Sequence, residues 1–168
     1  EQPEPVAPCN LHEVIRRAIS VIEAAGEDDV KLIEEFDPSL PQVMGNEDGL
    51  VQVVINLLSN ARDACRDMPD PQIVIRPRFV SGLVLTAIRL GRPVKLPIEL
   101  RISDNGPGID PALRDHIFEP FVSSKKNGQG LGLALVNKLV RDMEGRISHE
   151  RDDSDGWTHF KLHLPVAK

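Results

Sequence analysis

Residues 157–165 read WTHFKLHLP, and their alternation sets the architecture. Thr158, Phe160, Leu162 and Leu164 share one side of a strand; His159, Lys161 and His163 share the other. A strand that is apolar on one side and polar on the other fits an antiparallel sheet covered on one face only. RISHER (146–151) and the turn DDSDG (152–156) stand before it, so the closing segment reads as a hairpin. In this reading His159 and His163 face solvent, about 13 Å apart at about 3.3 Å per residue, too far to share an ion. His149 is placed to pair across the hairpin with His159. Trp157 reads as packing.

Working back from the hairpin, the apolar periods alternate. Leu133, Val136, Val140 and Met143 mark a helix over about 131–143, ended by Gly145. Pro111 opens a short helix over 111–117. Residues 94–104, 83–90 and 72–80 read as strands separated by turn signals. Asn46 caps a helix over about 48–68, and 30–36 reads as a strand. Asn10 and Glu13 form a capping box for a first helix over 10–25, stopped by Gly26. Helices and strands mix without regular alternation. The fold class is therefore α+β, a two-layer α/β sandwich with a mixed or antiparallel sheet and about three helices on one face. Residues 1–9 read as a Pro-bearing linker and 10–168 as one domain.

Composition narrows the function. The 168 residues carry a formal charge of −6 and no dense Lys/Arg stripe, which speaks against a nucleic-acid partner. No apolar run has the roughly 18 residues of a membrane span. Two cysteines suggest neither a disulfide framework nor zinc. A cytoplasmic setting is expected.

Three places carry chemistry. Asn56, Asn60, Asp63 and Asp67 form a narrow strip on the helix over 48–68. The aspartates suit a solvent face, but Asn is a poor helix former there, and its amide oxygen is a hard ligand suited to Mg²⁺. In PIELRISDNGPGI (97–109), Asp104 keeps the phase of Ile98, Leu100 and Ile102, so its carboxylate projects from the core face at a strand end. It can be satisfied by the amides of the following turn or by a ligand amine. Gly106 and Gly108 let the chain pass close to a flat ligand. Gly128, Gly130 and Gly132 sit at a helix mouth behind Lys125 and Lys126, where free amides can meet phosphate. The spacing matches neither a dinucleotide-binding loop nor a P-loop.

Taken in order, NLLSNARDA, DNGPGI, FEPFVSSK and GQGLGL resemble the N, G1, F and G2 boxes of histidine kinase ATP-binding domains, within the Bergerat-fold (GHKL) ATPases. The β-rich insertion before DNGPGI looks most like that of the NtrB-type nitrogen-regulation kinases. The resemblance implies ATP and Mg²⁺ as cofactors and assigns roles. Asn60 would coordinate Mg²⁺. Asn56 stands where related ATPases carry a water-activating Glu. Asp104 would bind the adenine amine, with Gly106, Gly108, Ile109 and Thr158 around the base. Phe118, Pro120 and Phe121 would anchor a lid. Lys125, Gly128, Gly130, Leu131 and Gly132 would close on the phosphates. Asp63 stands where some relatives carry Lys. Glu144–Gly145 replaces two glycines.

The implied activity is transfer of the γ-phosphate of ATP to a His on a separate dimerisation hairpin, for relay to an Asp of an NtrC-like response regulator. A PII-type signal protein is a further implied partner. None of the five histidines has the phosphoacceptor context, so little autophosphorylation is expected of this chain alone, and it is expected to be monomeric. The alternatives are a GHKL-type ATPase, or a nucleotide- or partner-binding module without kinase activity.

Overall fold

The computed structural model describes residues 5–26, 29–80, 86–89, 92–119 and 132–167, with backbone alone for 86–89 and 92–94. In chain order the elements are β1 (Ala7–Cys9), α1 (Leu11–Ala25), β2 (Lys31–Glu34), β3 (Val43–Gly45), α2 (Glu47–Cys65) and β4 (Gln72–Phe79). Then come β5 (Thr86–Arg89), β6 (Arg92–Lys95), β7 (Ile98–Asp104), a 3-10 turn at Arg114–His116, α3 (Gly132–Asp142), β8 (Arg146–Asp152) and β9 (Trp157–Leu164).

The main sheet has the order β2-β4-β7-β9-β8. β2 and β4 run parallel and the other pairs antiparallel. This is the mixed sheet of an α+β fold with three helices. Pro77 lies inside β4, where a missing N–H would break a ladder flanked on both sides. The pairing of β2 with β4 ends at Glu34 opposite Ile75, so Pro77 sits beyond it.

Register builds the core in rows. Ile75, Ile102 and Phe160 lie opposite one another, as do Pro77, Leu100 and Leu162. On these rows lies α2, with Leu50, Val53, Val54, Leu57, Leu58 and Ala61 buried. α1 adds Leu11, Val14, Ile15, Ala18 and Ile22; α3 adds Val136 and Val140. A buried Leu or Ile side chain contributes about 1.5–3 kcal/mol, so this cluster dominates stability.

Local signals set the helix ends. The Asn10 side chain accepts the amides of His12 and Glu13, at 3.0 and 3.3 Å. The Asn46 side chain accepts the Gly49 amide at 2.7 Å. After α3 the left-handed residue is Glu144 (φ 64°), not Gly145. Gly145 serves space instead, since a Cβ there would stand 2.8 Å from the His163 carbonyl oxygen.

Several readings change. Residues 7–9, read within a linker, form β1 and pair with β3. β3 itself was not foreseen. The single strand expected over 94–104 is two, because Leu96 and Pro97 interrupt it. β6 then pairs with β5 in a separate hairpin. The α2 helix ends at Cys65, short of 68. His149 lies opposite Phe160 rather than His159, with ring centroids 5.2 Å apart. His163 does not face solvent. It is 3 % exposed and bonds Glu99 at 3.1 Å, because register puts Glu99 directly across the strand pair.

Candidate functional site

The site grows from the end of the apolar rows. The last row that faces the helices runs Ile73, Asp104, Thr158, Arg151 across β4, β7, β9 and β8. Three polar residues thus continue a hydrophobic surface. Asp104 and Thr158 are each 2 % exposed.

Asp104 ends β7 and folds back on the next turn. One carboxylate oxygen accepts the Gly106 amide at 3.0 Å. Burial pushes the carboxyl up to about 6, against the lowering effects of that amide and of the Arg151 charge. A shift of two units disfavours the charged form by on the order of 3 kcal/mol. The turn amide does bind Asp104, yet burial still outweighs it and disfavours the charged form. Such a buried carboxylate fits a ligand that brings an N–H donor.

The two glycines of DNGPGI serve different needs. A Cβ at Gly106 would lie 2.5 Å from the Ala64 carbonyl oxygen, so α2 itself forbids a side chain. Gly108 takes φ 88°, and a Cβ there would meet the Arg151 guanidinium at 3.0 Å. Ile109 follows, half-buried against the core, and its carbonyl oxygen accepts Arg114 Nε at 3.3 Å.

The asparagine strip on α2 divides as its chemistry suggests. Asn56 and Asn60 are half-buried, while Asp63 is exposed, as is Asp67 just past the end of α2. Asp63 pairs with Arg66 one turn on. The Asn56 amide oxygen accepts Gln52 Nε2 at 3.0 Å. Asn56 and Gln52 line a cleft of about 1090 Å³ with Phe118, Gly132 and residues of α3. Gly132 is the first residue of α3, and a Cβ there would meet nothing within 4 Å. Phe118 sets its ring edge-on to Phe160, with centroids 6.4 Å apart.

Asp104, Gly106, Gly108, Ile109 and Thr158 therefore gather at the β7–β9 end, and Asn56, Gly132 and Phe118 share one cleft between α2 and α3. Asn60, one turn from Asn56, offers the hard amide oxygen that Mg²⁺ prefers. Pro120, Phe121, Lys125, Gly128, Gly130 and Leu131 lie outside the described residues. Sequence reading missed Arg151. A signal existed, since Arg151 keeps the phase of Ile147 and His149 and so belongs to the core-facing side of its strand.

The pattern of the histidine kinase-, DNA gyrase B- and HSP90-like ATPase family matches residues 45–168. Among curated relatives, the sensory histidine kinase/phosphatase NtrB of Rhizobium leguminosarum bv. phaseoli is 38 % identical over the whole chain. NtrB of Rhodobacter capsulatus is 40 % identical over 99 % of the chain, and that of Escherichia coli O157:H7 is 34 % identical over 95 %. The chain spans 43 %, 45 % and 44 % of these three relatives. Among solved structures, the mycobacterial sensor histidine kinase MprB has a TM-score of 0.76 at 27 % identity, covering 96 % of this chain and 97 % of that one. The catalytic domain of histidine kinase ThkA shares the fold, with a TM-score of 0.76 at 24 % identity over 97 % of each chain. The chain thus belongs to the histidine kinase-, DNA gyrase B- and HSP90-like ATPases, as an NtrB-like histidine kinase catalytic domain.

Proposed function

We propose that the domain over 10–168 binds ATP with Mg²⁺ and donates the γ-phosphate to a His on a separate helical hairpin, for relay to an Asp of an NtrC-like response regulator. The observation that carries the reading is the buried Asp104 carboxylate, held in one row with Thr158 at the end of an otherwise apolar core face.

Asp104 accepts the exocyclic amine of the base, and the turn through Gly106, Gly108 and Ile109 lies along its plane. Thr158 offers its hydroxyl beside Asp104. Asn60 supplies an oxygen to Mg²⁺, which neutralises phosphate charge when bound. Asp63 stands one turn further along that face. Asn56 has no basic group, so it cannot deprotonate a water, which favours transfer to a protein acceptor over hydrolysis. Lys125, Phe121, Gly128, Gly130, Leu131 and Gly132 supply the lid and the phosphate-facing amides. Positioning and charge neutralisation are the main demands of phosphoryl transfer, and these residues supply both. A PII-type protein acts on the same domain as a regulator.

The test is calorimetric titration of the chain with ATP, with and without Mg²⁺, beside Asp104→Ala and Asn60→Ala. Wild type binds; Asp104→Ala does not; Asn60→Ala loses only the Mg²⁺ enhancement. A separately made hairpin of an NtrB-type kinase, supplied in trans, then acquires acid-labile phosphate from ATP. Binding by Asp104→Ala at wild-type affinity would sink the reading.

A further inference from the structure

Arg151 is the cationic member of the row Ile73, Asp104, Thr158, Arg151, and its contacts exceed what packing requires. Its side chain is 10 % exposed. Nη1 donates to the Gly106 carbonyl oxygen at 2.8 Å and to Thr158 Oγ1 at 2.9 Å. Nε donates to Asp153 at 2.9 Å. The same guanidinium lies against Gly108, where a Cβ would touch Nε, Cδ and Cζ at 3.0–3.1 Å. One side chain therefore ties the DNGPGI turn, the last strand and the hairpin turn together.

The bond to Thr158 also has a direction. A guanidinium has no acceptor, so the Thr158 oxygen must accept from it, and the hydroxyl hydrogen must point elsewhere. Thr158 thereby keeps its hydroxyl hydrogen free to donate beside Asp104, whose carboxylate is an acceptor. A 6-aminopurine presents the complement, an amine donor beside the N1 acceptor. A 6-oxopurine presents an O6 acceptor, which meets the Asp104 carboxylate acceptor to acceptor, and that pair clashes.

We propose that Arg151 is a positioning residue of the nucleotide site, one that fixes the DNGPGI turn and the Thr158 hydroxyl so that the site accepts a 6-aminopurine and rejects a 6-oxopurine. The inference rests on the nucleotide reading above. The charge of Arg151 also favours the ionised form of Asp104, the form able to accept the amine. Among the described residues, β8 also carries His149 in the phase of Arg151, Arg114 follows the turn, and α2 carries Asp63, paired with Arg66 at its C-cap. β4 opposes Asp104 with Ile73, and β9 with Thr158.

The experiment titrates wild type, Arg151→Met and Arg151→Lys with ATP and with inosine triphosphate from pH 5 to 8.5, with melting curves alongside. Ionisation of the nucleotide phosphates is common to all curves and cancels in the comparison. In Arg151→Met, ATP affinity falls about tenfold, as for loss of charge-assisted hydrogen bonds. Discrimination against inosine triphosphate shrinks, and the pH below which ATP binding is lost moves upward. Arg151→Lys restores the charge and returns that midpoint toward wild type, which a merely structural role would not do. Should Arg151→Met melt below the titration temperature, Arg151→Gln takes its place with the same expectations. Wild-type affinity, discrimination and midpoint in the folded variant overturn the inference while leaving the nucleotide reading intact. Absence of ATP binding by wild type itself overturns both.

Discussion

Strand β7 carries two buried carboxylates, five positions apart and on opposite faces of the sheet. Asp104 looks toward the helices and Glu99 away from them; each is 2 % exposed. Burial alone would treat them alike. Yet Asp104 is pushed up to about 6, and Glu99 is held down at about 2. The difference is company. Glu99 lies in register between Arg78 and His163, accepts Arg78 and Arg101 Nε at 3.2 Å each, and meets His163 at 3.1 Å. The His163 hydrogen bond is the largest lowering influence, followed among the charges by Arg101. Among the described residues, Asp104 accepts one turn amide and feels the Arg151 charge. A carboxylate held by two arginines and a histidine serves the fold; one held by less fits a role in binding.

Breaking the Asp104 side has the largest effect. Asp104→Asn lowers ATP affinity at least about 100-fold, because the acceptor facing the amine becomes ambiguous and loses its charge. The same change stabilises the unliganded protein at pH 7.5 by on the order of 1–3 kcal/mol, since a charge no longer has to be buried. Calorimetry and urea denaturation on one preparation read both. A variant that loses ATP and stability together would contradict the comparison.

Glu99→Gln runs the other way. It keeps the shape and removes the charge, leaving Arg78 and Arg101 facing a neutral amide. Stability falls by about 2–3 kcal/mol in urea denaturation, while the ATP dissociation constant stays within about twofold. The pH dependence separates the two groups next. Glu99 has a depressed folded value, so its contribution is complete above its usual 4.5 and is lost as pH falls toward about 2. Asp104 has a raised value, so the unliganded fold is favoured while it is protonated and loses stability as pH rises from its usual 3.8 through about 6. Denaturation midpoints from pH 3 to 8 should flatten at the acid end in Glu99→Gln and between about 4 and 6 in Asp104→Asn. The smallest effect belongs to Glu35, paired with Arg76 on the open face at 44 % and 43 % exposure. Glu35→Gln costs less than about 1 kcal/mol, because a solvated pair contributes little.

Asp104 was legible in the sequence because strand phase is a local, two-residue rule, and the helix caps at Asn10 and Asn46 were legible for a similar reason. The asparagine strip was legible as a departure from ordinary helix surfaces. The burial of Glu99 and His163 was not, since it depends on three strands lining up, and register is a relation between distant segments. The same holds for β1 and β3, three residues each, whose partners lie 34 to 38 positions apart. Arg151 combined both cases: its phase was readable, but its bonds to Gly106 and Thr158 needed the completed sheet.

The small ladder of β1 on β3 has a mechanical consequence. Asn46 caps α2 through Gly49, and its Nδ2 also donates to the Pro5 carbonyl oxygen at 3.2 Å. It thus works as a rivet between the earliest described residues and the first turn of the helix that carries Asn56 and Asn60. A tug or twist at Pro5 meets the ladder and the Asn46 side chain together, and both lead to the base of that helix.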